Sequence, residues 1–380
     1  MLNNYVKIDI FAGEIRKILL LALAVGTFTL VTGCAGKGSL YQTTPTVAIR
    51  WPQESLGHSI TWVKSISNFE DAGVTKGFWR QVKEFLVGRD QRRIVRPYGV
   101  LYDDRERLFI ADPGSNVVHS MDIREGRYTV IGEDNSPFQS PIGLTEDEAG
   151  LLYITDSVAG VVFRYDAEKE LLERFLVGKL DRPTGIVYNR SNNLLYISDT
   201  TRGVVVAYDL AGQERYRFGG SPASDIRLNR PTDLAVDKKG RIFVTEALNY
   251  HIRFYSPEGG YLGELGKAGE LPGMMNKPKG IALDSEGHIY VCDSQQDAVQ
   301  IFDDAGRYLL SFGSTGVEPG KFWMPSGLSI DAHDYIYVAD TYNRRVQIFR
   351  YQRDPLKNSG EQPVANQAEN VGVNRPPRTE

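Results

Sequence analysis

Six segments of the chain begin alike: "PYGVLYD" at 97, "PIGLTED" at 141, "PTGIVYN" at 183, "PTDLAVD" at 231, "PKGIALD" at 278 and "PSGLSID" at 325. Their spacings are 44, 42, 48, 47 and 47 residues. Each start is followed by a second apolar stretch ending in an acid, from "LFIAD" to "IYVAD", and by a third such as "VVFRYD" or "RVQIFR". The acid falls 15 residues after the proline in five copies and 16 in the third. A period of this length marks one supersecondary unit repeated. Within each unit apolar and polar residues alternate and the turns carry glycine, with no helical period.

Four antiparallel strands in about 40–50 residues make a propeller blade. A blade cannot bury both of its faces alone, but it can when stacked between neighbours in a closed ring. Proline opens the innermost strand, where a missing N–H costs little, and the glycine two residues later suits a strand converging on a crowded axis. "DKKG" (237–240) and "DSEG" (284–287) have Asp first and Gly last, as turns joining the first and second strands require. The reading is an all-β, six-bladed β-propeller with four-stranded blades over 59–352.

The P-x-G start, the acid-ended second strand and "DTYNRRVQIF" (340–349) together resemble NHL repeats, which form six-bladed propellers. The resemblance covers about 97–352. The units lack the Trp-Asp dipeptide of WD repeats and the glycine doublet of kelch repeats. The sixth unit supplies only three strands before Gln352, so a fourth is expected from the N-terminal side. "SITWVKSIS" (59–67) alternates well and is the favoured closing strand; a segment over 80–88, containing "EFLVG" (84–88), is the alternative. Phe78, Trp79, Val82, Phe85 and Leu86 have helical spacing, which predicts a short helix over 77–87.

The N-terminus has another character. Lys7, Arg16 and Lys17 precede fifteen apolar or small residues, Ile18 to Thr32. That is short of the roughly 20 a spanning helix needs, but suits a signal-peptide core. "LVTGC" (30–34) resembles the lipobox of bacterial lipoproteins, which implies cleavage before Cys34 and acylation of that residue. An ordinary secretory signal with a chance cysteine is the alternative. In the lipoprotein family Ala35 at the next position implies the outer membrane of the cell envelope. The expected organisation is a signal peptide over 1–33, a lipidated tether and arm over 34–58, the ring, and a disordered tail over 353–380 that lacks aromatics. Removing residues 1–33, with three positive and two negative charges, takes the net charge from −4 to −5. An exported acidic chain does not fit nucleic-acid binding. Cys292 is the only other cysteine, so with Cys34 acylated no internal disulfide forms.

The candidate site residues follow from the repeat frame. Asp112, Asp156, Asp199, Glu246, Asp293 and Asp340 recur once per blade, which reads as a structural role: bonding backbone amides of the following turn. Cys292 shares a register with Ala111, Thr155, Ser198, Thr245 and Ala339 and reads as a buried filler. His58, His119, His251, His288 and His333 do not converge in this frame, and no metal or other cofactor is expected. The residues before the prolines are Arg96, Ser140, Arg182, Arg230, Lys277 and Met324. On the same expected face lie Asn116, Arg202, Asn249, Tyr250, Gln295, Tyr342, Asn343 and Arg344. Such a cluster reads as a partner-binding surface at the channel mouth; equally, the cations could neutralise the acidic column. Asp233 replaces the glycine of the other five blades, which makes it, with Glu246, a candidate channel carboxylate.

Two functions stay open. One is a lipid-anchored, monomeric ring that binds an envelope protein, peptide or glycan. The other is a propeller enzyme, a metal-dependent hydrolase or lyase with a channel site. The first is favoured, because no catalytic motif is present and fold alone does not give function.

Overall fold

Alternating residues along each repeat put one set of side chains on each face of a sheet, and both faces find a partner. The computed structural model describes residues 48–53, 58–73, 93–133, 137–220 and 227–353. Among these there is no helix. The strands form six antiparallel sheets arranged as a six-bladed propeller. The second strands of the blades are almost wholly buried, as in Arg107–Asp112, Leu151–Asp156 and Tyr335–Asp340.

Six apolar clusters hold the ring, one between each pair of neighbouring sheets. Phe109, Val118 and Ile131 of the first sheet interlock with Ile154, Val161 and Phe163 of the second. Val100, Leu108 and Ile110 of the first sheet meet Tyr337, Val346 and Ile348 of the sixth in the same way. Full burial of one such side chain contributes about 1.5–3 kcal/mol.

The sixth sheet draws on both ends of the domain. Leu328–Ile330, Tyr335–Asp340 and Arg345–Arg353 supply three strands, and His58–Ile66 pairs antiparallel with the last, Ile60 opposite Tyr351 and Ile66 opposite Val346. The expected arm is not a plain tether. Arg50–Trp51 adds a fifth strand beside His58–Ile66, and the Trp51 ring lies 5.9 Å from both Phe312 and Phe349. Two residues cannot display a period, but an indole seated on an apolar cluster can hold them. The expected helix over 77–87, the alternative strand over 80–88, residues 1–33, Cys34 and the tail beyond Arg353 lie outside the described residues.

Near the axis the innermost strands approach so closely that a side chain does not fit. A Cβ on Gly99, Gly143, Gly280 or Gly327 would lie 2.0–2.4 Å from a carbonyl oxygen of the next strand. This is the physical reason for the third residue of the repeat.

Candidate functional site

The acid column is a set of clamps, and each clamp ties two loops together. Asp156 accepts hydrogen bonds from Gln139 N (2.6 Å) and Ser140 N (3.0 Å), which enter the innermost strand, and from Val158 N (3.2 Å) and Ala159 N (2.9 Å), which follow the second. Asp199 holds Asp181 N, Arg182 N and Arg202 N. Asp293 holds Asn276 N, Lys277 N, Gln295 N and Gln296 N. The expected bonds to the following turn are present, but the same carboxylate also reaches the preceding loop. Both loops therefore share one face of the ring, the channel mouth.

The cations that precede the prolines do not neutralise the column by ion pairing: Arg96, Arg182 and Lys277 bond it only through backbone N–H. Where an arginine does meet a column acid it is Arg202 with Asp199 at 3.5 Å, Arg253 with Glu246 at 3.1 Å and Arg345 with Asp340 at 2.7 Å. The side chains of Arg96, Arg182, Arg230 and Lys277 are exposed, and among the described residues none has an ion pair or a side-chain hydrogen bond. Arg344 is likewise exposed and unpaired among them.

Other expected contact residues turn inward. Asn249 Nδ2 donates to Glu246 and Asn343 Nδ2 to Asp340. Arg202 pairs with Asp181 at 2.6 Å. Tyr250 packs against the cluster of Ile252, Leu265 and Met275. Tyr342 stays out, 49% exposed, and its ring lies 5.6 Å from that of Trp323. Trp323, also 49% exposed, and Val95 stand two residues before the blade proline, a position filled by Gln139, Asp181, Asn229 and Asn276 in the other blades, so the register carries no signal for an exposed apolar residue. With Arg96, Pro113, Tyr342 and Arg344 they line a cleft of 470 Å³ between the sixth and first blades.

The channel itself holds one of the two candidate carboxylates. Glu246 is outside it, fully buried against Arg253 Nε at 3.1 Å and the amide of Asn229. Asp233 lines the channel. Its carboxylate turns into the gap between blades, accepting Leu234 N at 2.9 Å and Ile281 N of the next innermost strand at 3.2 Å. At two other junctions the link is a direct amide bond, from Gly280 N to Ser326 O and from Gly327 N to Tyr98 O. Burial raises Asp233 to about 7, against the pull of the two amides. Cys292 is fully buried, and burial pushes its thiol up.

Among the described residues no three His, Cys, Asp or Glu side chains gather where they could hold a metal ion. Asp233 is the one carboxylate lining the channel, and backbone amides occupy both of its oxygens. The residues that line the channel thus do not supply the several oxygen ligands that a hard cation such as calcium requires. The histidines are dispersed in local pairs: His119 with Tyr128 and Asp112, His288 with Asp284, His58 with Tyr351.

In sequence, residues 155–275 match the SMP-30/gluconolactonase/LRE-like region and residues 281–366 match a family described as a 6-bladed beta-propeller. No curated protein matches the chain. The structure is similar to virginiamycin B lyase from Staphylococcus aureus, at 15% identity and a TM-score of 0.52 over 67% of this chain and 95% of that one. It is also similar to an auxiliary nutrient binding protein from Bacteroides thetaiotaomicron, at 13% identity and a TM-score of 0.55 over 78% and 84%. A nidogen/laminin complex matches at 15% identity and a TM-score of 0.50 over 65% and 88%. At such identities the likeness is one of fold.

Proposed function

We propose that the chain is an NHL-type propeller of the cell envelope, anchored through an acylated Cys34, and that its channel-mouth face binds a polypeptide partner. The observation that carries this reading is the pairing of unpartnered cations with exposed aromatics on one face. Arg96, Arg182, Arg230, Lys277 and Arg344 stand free among the described residues, and Arg96 and Arg344 share a cleft with Val95, Trp323 and Tyr342. Arginine and aromatic side chains are the groups that dominate interface energetics. Their complement is a segment that presents carboxylates and apolar side chains together. A glycan would use the aromatics but leave the cations without counter-charges.

The test is capture from envelope extract by the full chain and by a variant carrying Arg182→Glu and Arg230→Glu. The expected result is a specific partner whose capture weakens with salt and is lost on charge reversal. Capture unaffected by reversal, in a variant with unchanged melting temperature, rejects the mouth face. The anchor is tested apart: Cys34→Ser should abolish detergent-phase partitioning, and unchanged partitioning rejects acylation.

A further inference from the structure

The slot between proline and glycine on the innermost strands holds residues that binding at the rim does not use. In four blades it is Ile142, Thr184, Thr232 or Ser326; in the first and fifth it is Tyr98 and Lys279. Both line the channel together with Asp233. The lumen measures 230 Å³. With about 30 Å³ per water, that is room for a small metabolite and not for a polypeptide.

Lys279 Nζ lies 5.5 Å from the centroid of the Tyr98 ring. It has no carboxylate and no hydrogen-bond acceptor among the described residues. Asp233 does not neutralise it, since Leu234 N and Ile281 N take the carboxylate oxygens. Tyr98 reaches towards the third and fourth blades, where it senses both Arg182 and Asp233. Burial lowers Lys279 to about 8, helped by Lys277, so the amine is still mainly charged at neutral pH. Burial raises Tyr98 to about 12, which keeps its hydroxyl a donor.

The Tyr98 ring face meets the ammonium in part, but a cation drawn out of bulk water without a counter-charge is costly, and an anion that enters the same lumen relieves that cost. We infer that the channel mouth binds a small monocarboxylate, held by the Lys279 ammonium and the Tyr98 hydroxyl with Arg182 at the entrance. One ammonium and one hydroxyl donor match a single carboxylate, which sets a monocarboxylate ahead of a dianion such as phosphate.

Calorimetric titration of the purified full chain with acetate, lactate and inorganic phosphate tests this. Acetate and lactate should bind at one competing site. Lys279→Met, which keeps the length of the side chain, should weaken them about tenfold or more, as loss of one hydrogen bond to a charged group implies. Tyr98→Phe should weaken them less, and melting temperatures establish that each variant folds. The inference is overturned if neither carboxylate binds the native chain, if phosphate is preferred, or if folded Lys279→Met binds as the native chain does. Should Lys279→Met not fold, undiminished binding by Tyr98→Phe overturns it instead.

Discussion

The two faces of the ring carry similar kinds of residue and leave them in opposite states. On the face away from the mouth, turns open with an aspartate whose charge is met within the same turn. Asp103 pairs with Arg107, Asp237 with Arg241 and Asp303 with Arg307, each at 2.6 Å, and Asp284 with His288 at 2.7 Å. At the mouth the acids are met by backbone amides and by Arg202, Arg253 and Arg345, and the cations before the prolines are left over. Exposed apolar residues divide between the mouth loops and the outermost strands. Val95, Val158, Leu248, Leu271, Val317, Trp323 and Tyr342 are exposed on mouth loops, whereas Leu171, Val177, Tyr261, Leu262 and Leu309 lie on outermost strands. What sets the mouth face apart is therefore that its acids are met from within the fold while five of its cations are not, more than how many charges it carries.

The largest expected effect removes a clamp. Asp156→Ala leaves four backbone amides of two mouth loops without their acceptor, and should cost about 3 kcal/mol or more in chemical denaturation. Asp166→Ala on the other face loses an exposed partner, Lys169, and turn bonds that water can replace, and should cost far less than Asp156→Ala. Equal costs would break the comparison.

Next comes the aromatic pair. Trp323→Ala with Tyr342→Ala should weaken partner binding by about 2 kcal/mol, roughly 30-fold, as hot-spot residues do. Partner titration reads this, and an unchanged affinity would move the contact elsewhere on the mouth.

A third prediction concerns pH. In the unfolded chain Asp233 titrates near the ordinary carboxylate value of about 4; in the ring it is raised to about 7. The folded state holds this proton more tightly, so the stability it supports is complete below about pH 4 and declines as pH rises towards 7. Denaturation of the native chain and of Asp233→Asn at pH 5 and pH 8 should show the variant gaining relative to the native chain at the higher pH. A difference that does not vary with pH would place Asp233 in bulk-like water.

The smallest effect sharpens the contrast from the other side. Lys238→Ala with Lys239→Ala, in the turn between the first two strands of the fourth blade, should change stability by about 0.5 kcal/mol or less and leave capture intact. Loss of the partner in this variant would mean that the faces have been assigned the wrong way round.

The blades were legible because short strands with period two, separated by glycine turns, repeat their own signal six times. The acid column was legible as structural, since an acid recurring at one position in all six blades cannot be catalytic in each. Its reach into two loops was not, because the partners are backbone amides and backbone carries no sequence signal. Asp233 stood out as a carboxylate where five blades have glycine. Tyr98 and Lys279 were overlooked beside it, although their slot is fixed by the flanking proline and glycine. The inward turn of Asn249, Asn343 and Tyr250 depends on rotamers chosen by the surrounding loops, and Arg50–Trp51 is too short for any pattern.

The sheet shared by the two ends has a consequence in time. His58 Nδ1 lies 2.7 Å from the hydroxyl of Tyr351, a partner 293 positions later in the chain. Synthesis proceeds at about 5–20 residues per second, so the first strand waits roughly 15 seconds to a minute before its neighbour exists. Through that interval Ile60 and Trp62, which end in the apolar cluster of the last blade, are carried on a strand with no partner along its edge. Such an edge invites pairing with other chains. The step most exposed to misassembly is thus the last one, and the segment at risk is among the first of the ring to be made.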